Sequence, residues 1–156
     1  MFKIAIVQFP RHSNDLADNR QLMTSYLEKL APDSDLVLLP EGWLGPEPLI
    51  TEDYLEILHD LLAKLKAPGC LMVSGAQYVN ADSQKICRGF ILSPERPDPI
   101  PYDKLFPSEA IGERKFIAPG NQSPVVRHNG LGIGVAVCVD LFYPEVIRSL
   151  ALRGAS

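Results

Sequence analysis

The sequence predicts an α/β protein built on a mixed sheet. Short apolar or β-branched runs alternate with two stretches of helical apolar spacing, the pattern of crossover units. The later runs are separated by polar turns that favour hairpins, Asn129-Gly130 most clearly. Proline closes the first two runs, at Pro10 and Pro40.

Lys3 to Phe9 reads as the first strand. Leu22, Met23, Tyr26, Leu27 and Leu30 give helical spacing across Leu16 to Leu30, with Ser13, Asn14 and Asp15 as candidate caps. Leu36 to Leu39 is a continuous apolar run, which suits a strand buried on both faces. Strand, helix and strand in this order predict a parallel pair with a crossover helix. Thr51 to Lys66 predicts a second helix, capped by Thr51, acidic in its first turn and striped with Leu55, Leu58, Leu61, Leu62 and Leu65. Leu71 to Val79 and Ile86 to Leu92 predict two strands joined across the polar Asn80 to Gln84 turn. The proline-rich stretch Pro94 to Pro107 reads as an irregular, structured loop. Pro124 to His128 and Leu131 to Val139 flank Asn129-Gly130 as a hairpin, and Pro144 to Arg153 is the last helix. A further strand is expected after Gly154, so the sequence reads as the early part of a larger domain.

Bulk properties narrow the function. The 156 residues carry a net charge of −4 with both signs interspersed and no basic stripe, so nucleic acid is not an expected partner. The longest apolar stretch is too short to cross a bilayer, and the first residues resemble no signal peptide, which points to the cytoplasm. Cys70, Cys87 and Cys138 form no Cys-x-x-Cys pair, and His12, His59 and His128 have no metal-ligand spacing. Neither a metal nor a cofactor is indicated. No Gly-rich nucleotide motif supports a nucleotide-binding module.

Four residues could carry chemistry. Cys138 lies where an apolar run meets a helix start, a turn that can hold a nucleophile at the mouth of a sheet and aim backbone N–H groups at an oxyanion. By type alone a free cysteine reads more readily as core. Glu41 directly follows the Leu36 to Pro40 run, at the C-terminal strand edge where open α/β sheets place ligands. Partial desolvation there makes a carboxylate a usable general base. Lys104 sits between Tyr102 and Phe106. A buried ammonium beside a thiol favours the thiolate and then the oxyanion. Glu113 lies upstream of Pro119-Gly120, with Glu109 as its competitor.

Four blocks occur in order: Leu39-Pro40-Glu41, Tyr102-Asp103-Lys104-Leu105-Phe106, Glu113 through Pro119-Gly120, and Gly134 through Cys138-Val139-Asp140 to Pro144-Glu145. Together they resemble the nitrilase superfamily of carbon–nitrogen hydrolases. The resemblance implies an α-β-β-α sandwich and a Glu41, Lys104, Cys138 triad. It also implies Glu113 as a second glutamate that positions substrate or Lys104, and an oxyanion contact from the backbone of Val139. The implied reaction is hydrolysis of a small-molecule amide through a cysteine thioester, in a protein that pairs as a dimer. Cys138-Val139-Asp140 resembles the amidase and carbamoylase branch more than the nitrilases proper. Many amidase-type members carry Arg where Phe142 stands, so that contact is absent. Trp43, Phe142 and Tyr143 are candidates for the pocket wall, and Trp43 reads equally as core. Family domains are longer than this chain, so an exposed apolar sheet face and edge are expected. The alternative from another class is a non-catalytic binding or assembly module on the same fold.

Overall fold

The computed structural model describes residues 1–10, 14–81 and 83–156. His12 and the candidate cap Ser13 lie outside them. Its elements are β1 (Ile4–Ile6), α1 (Leu16–Leu27), β2 (Leu36–Leu38), β3 (Leu49–Ile50), α2 (Thr51–Leu62), β4 (Leu71–Val73), β5 (Gln77–Ala81), β6 (Gln84–Ser93), β7 (Arg96–Asp103), β8 (Val125–His128), β9 (Leu131–Gly134) and α3 (Pro144–Leu152). The first seven strands make one mixed sheet, and β8 and β9 make a two-stranded second one. β1, β2 and β4 run parallel, as the crossover reading requires.

α1 and α2 cover one face of the large sheet through Met23, Leu27, Tyr54, Leu58 and Leu61. The β8–β9 hairpin covers the other face through Val126, Ile133 and Val135. α3 lies against that hairpin, where a Cβ at Gly134 would meet Leu150 at 2.8 Å. The four layers of the expected sandwich are therefore present. Ile4 and Ile6 are exposed, and an apolar cavity of 550 Å³ lies between β1, β2, β9 and α3. No helix among the described residues is long and apolar enough to cross a membrane.

The structure bears out one expected cap and corrects several other sequence expectations. Asp15 caps α1, accepting from Ala17 N at 2.8 Å and Asp18 N at 3.1 Å. Thr51 does not cap α2. The N-cap is Ile50, and Thr51 Oγ1 instead donates to Asn80 O at 3.3 Å. The stretch from Pro94 to Pro107 is not a loop throughout, because residues 96–103 form β7. Prolines at 97, 99 and 101 occupy alternate positions, so their missing N–H groups share one edge of the strand. The opposite edge pairs with β6. Strand-compatible proline at a sheet edge is the physical reason the loop reading failed.

The expected strand from Leu71 to Val79 is broken in two, and the break builds the site. β4 and β5 both pair with β6, while Ser74 to Ala76 steps out between them. Gly75 has φ +73°, and a Cβ there would lie 2.1 Å from Pro40 O, so only glycine fits. Tyr54 from α2 braces the break, its hydroxyl 2.7 Å from Gly75 O. Gly42 N donates to Ala76 O at 2.9 Å, which hangs the loop after β2 on this break. Glu41 stands on that loop.

Candidate active site

Three loops meet above the strand ends. Lys104 leaves β7 with its backbone N–H donating to Cys87 O at 2.8 Å, and its side chain is fully buried. Its ammonium lies 3.0 Å from Glu41 Oε1 and 2.8 and 2.7 Å from the two oxygens of Glu113. Glu113 opens a one-turn 3₁₀ segment and also accepts from Tyr78 Oη at 2.8 Å and Ser108 N at 2.6 Å. Every oxygen of Glu113 is thus engaged. Glu109 instead sits at the surface, 3.2 Å from Arg114.

Burial opposes the Lys104 charge, but hydrogen bonds and charges from Glu113 and Glu41 outweigh it and hold its pKa above the usual lysine value. Burial likewise opposes the Glu113 charge. Lys104, the Ser108 N–H and Tyr78 overcome that and hold the carboxyl below the ordinary 4.5.

Cys138 has φ +51°, a left-handed backbone rare outside glycine. It opens the 3₁₀ turn Cys138–Phe142, and its side chain is exposed above Glu41. Burial and then the Glu41 charge push its thiol up, while Lys104 and the Val139 N–H pull it down, and the net shift is upward. Lys104 thus favours the thiolate, as its residue type and position imply, but burial and Glu41 outweigh it. The carboxylate of Glu41 faces the Cys138 thiol.

Asp140 and Cys87 are two contributors the sequence reading did not assign. Asp140 is fully buried and accepts from Leu105 N at 3.0 Å, Phe106 N at 2.9 Å and Val137 N at 3.2 Å. One carboxylate therefore ties the loop after Lys104 to the turn that holds Cys138. Cys-x-Asp spacing was the available signal, but Leu105 and Phe106 are more than thirty residues away. Asp140→Ala is expected to orphan three backbone donors, lower stability by about 3 kcal/mol, and reduce turnover more than it raises KM. Denaturant melts and steady-state kinetics check both. The second contributor is Cys87, buried on β6 with its Sγ 3.6 Å from Glu41 Oε1.

The sequence profile of the carbon–nitrogen hydrolases matches residues 3–156. The chain belongs to this family. An (R)-stereoselective amidase of Pseudomonas sp. is 26% identical over 98% of this chain and 57% of its own length. A carbon–nitrogen hydrolase superfamily protein of Xanthomonas campestris, solved with an arsenic adduct in its active site, superposes with a TM-score of 0.79 at 25% identity. That match covers 92% of this chain and 56% of the other. An amidase from Nesterenkonia sp. shares the fold with a TM-score of 0.81 at 21% identity, over 99% and 62%. The chain thus spans between 29% and 61% of the length of the curated relatives it matches.

Two cavities flank Glu41 in this carbon–nitrogen hydrolase chain. One of 220 Å³ is lined by Cys138, Tyr102, Ala76 and Val137. The other, of 420 Å³, is lined by Gln77, Tyr78, Cys87, Glu113, Ile111 and Phe116, with Gly42 and Gly45. The expected pocket residues are placed differently. Trp43 is core: it is buried, its Nε1 donates to Ser74 O at 2.9 Å, and Phe9 meets its ring edge-on. Its indole N–H finds a partner only beneath the strand break, so it braces the Glu41 loop from below. Phe142 is exposed and lines neither cavity, because the 3₁₀ turn swings it outward. Tyr143 lines neither cavity and stacks on Phe106 at 3.9 Å instead.

Proposed function

We propose that this chain carries the catalytic centre for hydrolysis of a small-molecule amide through a thioester on Cys138. The observation that carries the reading is the buried Lys104 between Glu41 and Glu113, with Cys138 facing Glu41 from a strained turn. The relatives named as amidases support the amide class, and the Cys138-Val139-Asp140 spacing favours amides over nitriles.

Glu41 takes the thiol proton as Sγ attacks the amide carbon. The carbonyl π electrons move to oxygen, where Lys104 and the Val139 N–H stabilise the charge. Collapse re-forms the carbonyl and breaks the C–N bond, and the nitrogen leaves as ammonia or amine with a proton from Glu41. Water, deprotonated by Glu41, attacks the thioester; the carboxylic acid departs and the thiol is restored. Glu113 holds Lys104 in line.

The test is ammonia release across a panel of short amides, with Cys138→Ala as control. Release by the native chain alone supports the reading. Equal background from both would leave the non-catalytic binding module as the better account.

A further inference from the structure

The 420 Å³ cavity is lined by a polar group that neither the mechanism nor any described residue around it engages. Gln77 opens β5 at the edge of the strand break and is only 2% exposed. Its Oε1 is buried with no hydrogen-bond partner among the described residues. A buried amide left unpaired is costly, so a protein that keeps one at a cavity wall gains when a ligand satisfies it. Every other buried polar side chain around it is engaged: Tyr78 with Glu113, and Glu113 with Lys104.

The remaining lining sets the charge of the occupant. Glu41 and Glu113 contribute two carboxylates, and no Lys, Arg or His lines the cavity. The Lys104 ammonium held between them offsets one of these charges, so the wall keeps one net negative charge, which disfavours a carboxylate-bearing ligand. Tyr78 and Phe116 meet edge-to-face at 5.3 Å and, with Ile111, give the wall an apolar stretch that suits a short carbon chain. A hydroxyl both donates and accepts, so it satisfies the Gln77 amide whichever way round its oxygen and nitrogen lie.

We infer that this cavity binds the far end of the substrate, and that Gln77 selects a short, uncharged amide carrying a terminal hydroxyl over its acidic and purely apolar counterparts. The inference rests on the amide-hydrolysis reading for the position of the scissile carbon beside Glu41. It names Gln77 as a specificity residue outside the triad.

The test is calorimetric binding to Cys138→Ala, which uncouples recognition from turnover. The probes are 4-hydroxybutyramide, its methyl isostere pentanamide, and the acid succinamate. The hydroxyamide is expected to bind about tenfold or more tighter than pentanamide, with succinamate weakest. Adding Gln77→Leu is expected to bring the first ratio to about one and to raise Tm, because an unpaired buried amide is removed. Gln77→Asn, which withdraws the amide by one methylene, should also lose the preference and serves if the leucine variant does not fold. Equal binding of the two isosteres, a preference that survives both substitutions, or a lowered Tm in Gln77→Leu would overturn the inference. If the preference holds while the native chain releases no ammonia from any probe, the catalytic reading fails and the binding site stands.

Discussion

Cys138→Ala is expected to abolish ammonia release, with kcat falling by on the order of 10⁴-fold or more, while Tm stays within about 2 °C of the parent. The asymmetry follows from the position. The side chain is exposed, so truncation removes little packing. The left-handed backbone at φ +51° strains alanine as much as cysteine. Cys138→Gly separates the two effects, since glycine relieves that strain yet loses the same nucleophile. The resting thiol gives a second readout. N-ethylmaleimide is expected to label Cys138 slowly at neutral pH and faster as pH passes the ordinary thiol value of 9.0, because burial and Glu41 hold the group above it. Cys70 and Cys87 are buried, which keeps the labelling selective. Rapid labelling at neutral pH would mean that Lys104 keeps a thiolate after all, and Glu41 would lose its role as the first base.

Glu41, Lys104 and Cys138 were legible as candidate site residues because each interrupts an otherwise simple local pattern. Glu41 follows an apolar run and a proline, Lys104 lies among aromatics, and Cys138 stands between an apolar run and a helix-opening proline. Their order in the chain carried the rest. What was not legible depends on contacts distant in sequence. Nothing near Asp140 reveals that it will accept from the backbone of Leu105 and Phe106, and nothing near Cys87 reveals Glu41. The strand break at Gly75 is hidden because Ser74-Gly75-Ala76 sits inside a plausible apolar run. Its meaning comes from Pro40, which approaches too closely for any side chain. β7 was missed for the opposite reason, because its prolines look like loop until the edge position accommodates them.

Lys104→Leu is expected to be the most destabilising substitution at the site. The ammonium is the only cation within ion-pair distance of either Glu41 or Glu113 among the described residues. Removing it leaves the Glu113 carboxylate, whose side chain is 1% exposed, without its counter-charge. Deleting one partner of a buried pair typically costs about 3–5 kcal/mol, which for a chain this size lowers Tm by on the order of 10 °C. The pH dependence identifies the cause. Glu113 is held below 4.5 in the folded chain, so its share of the stability is present above that value and fades as pH falls through the depressed one. Lys104 is held above 10.5, so its share is complete below that value and is lost only as pH rises through the raised one. The gap in Tm between parent and variant should therefore be widest between these limits and narrow on the acid side, as the orphaned Glu113 carboxylate of the variant takes up a proton. Glu113→Gln should follow the same profile with a smaller gap, since Glu41 remains beside the ammonium. A gap that does not change with pH would assign the loss to packing of the buried lysine stem. Turnover separates the charge from the stem as well: Lys104→Arg keeps a cation but cannot place its planar head between both carboxylates, so it should restore more stability than activity.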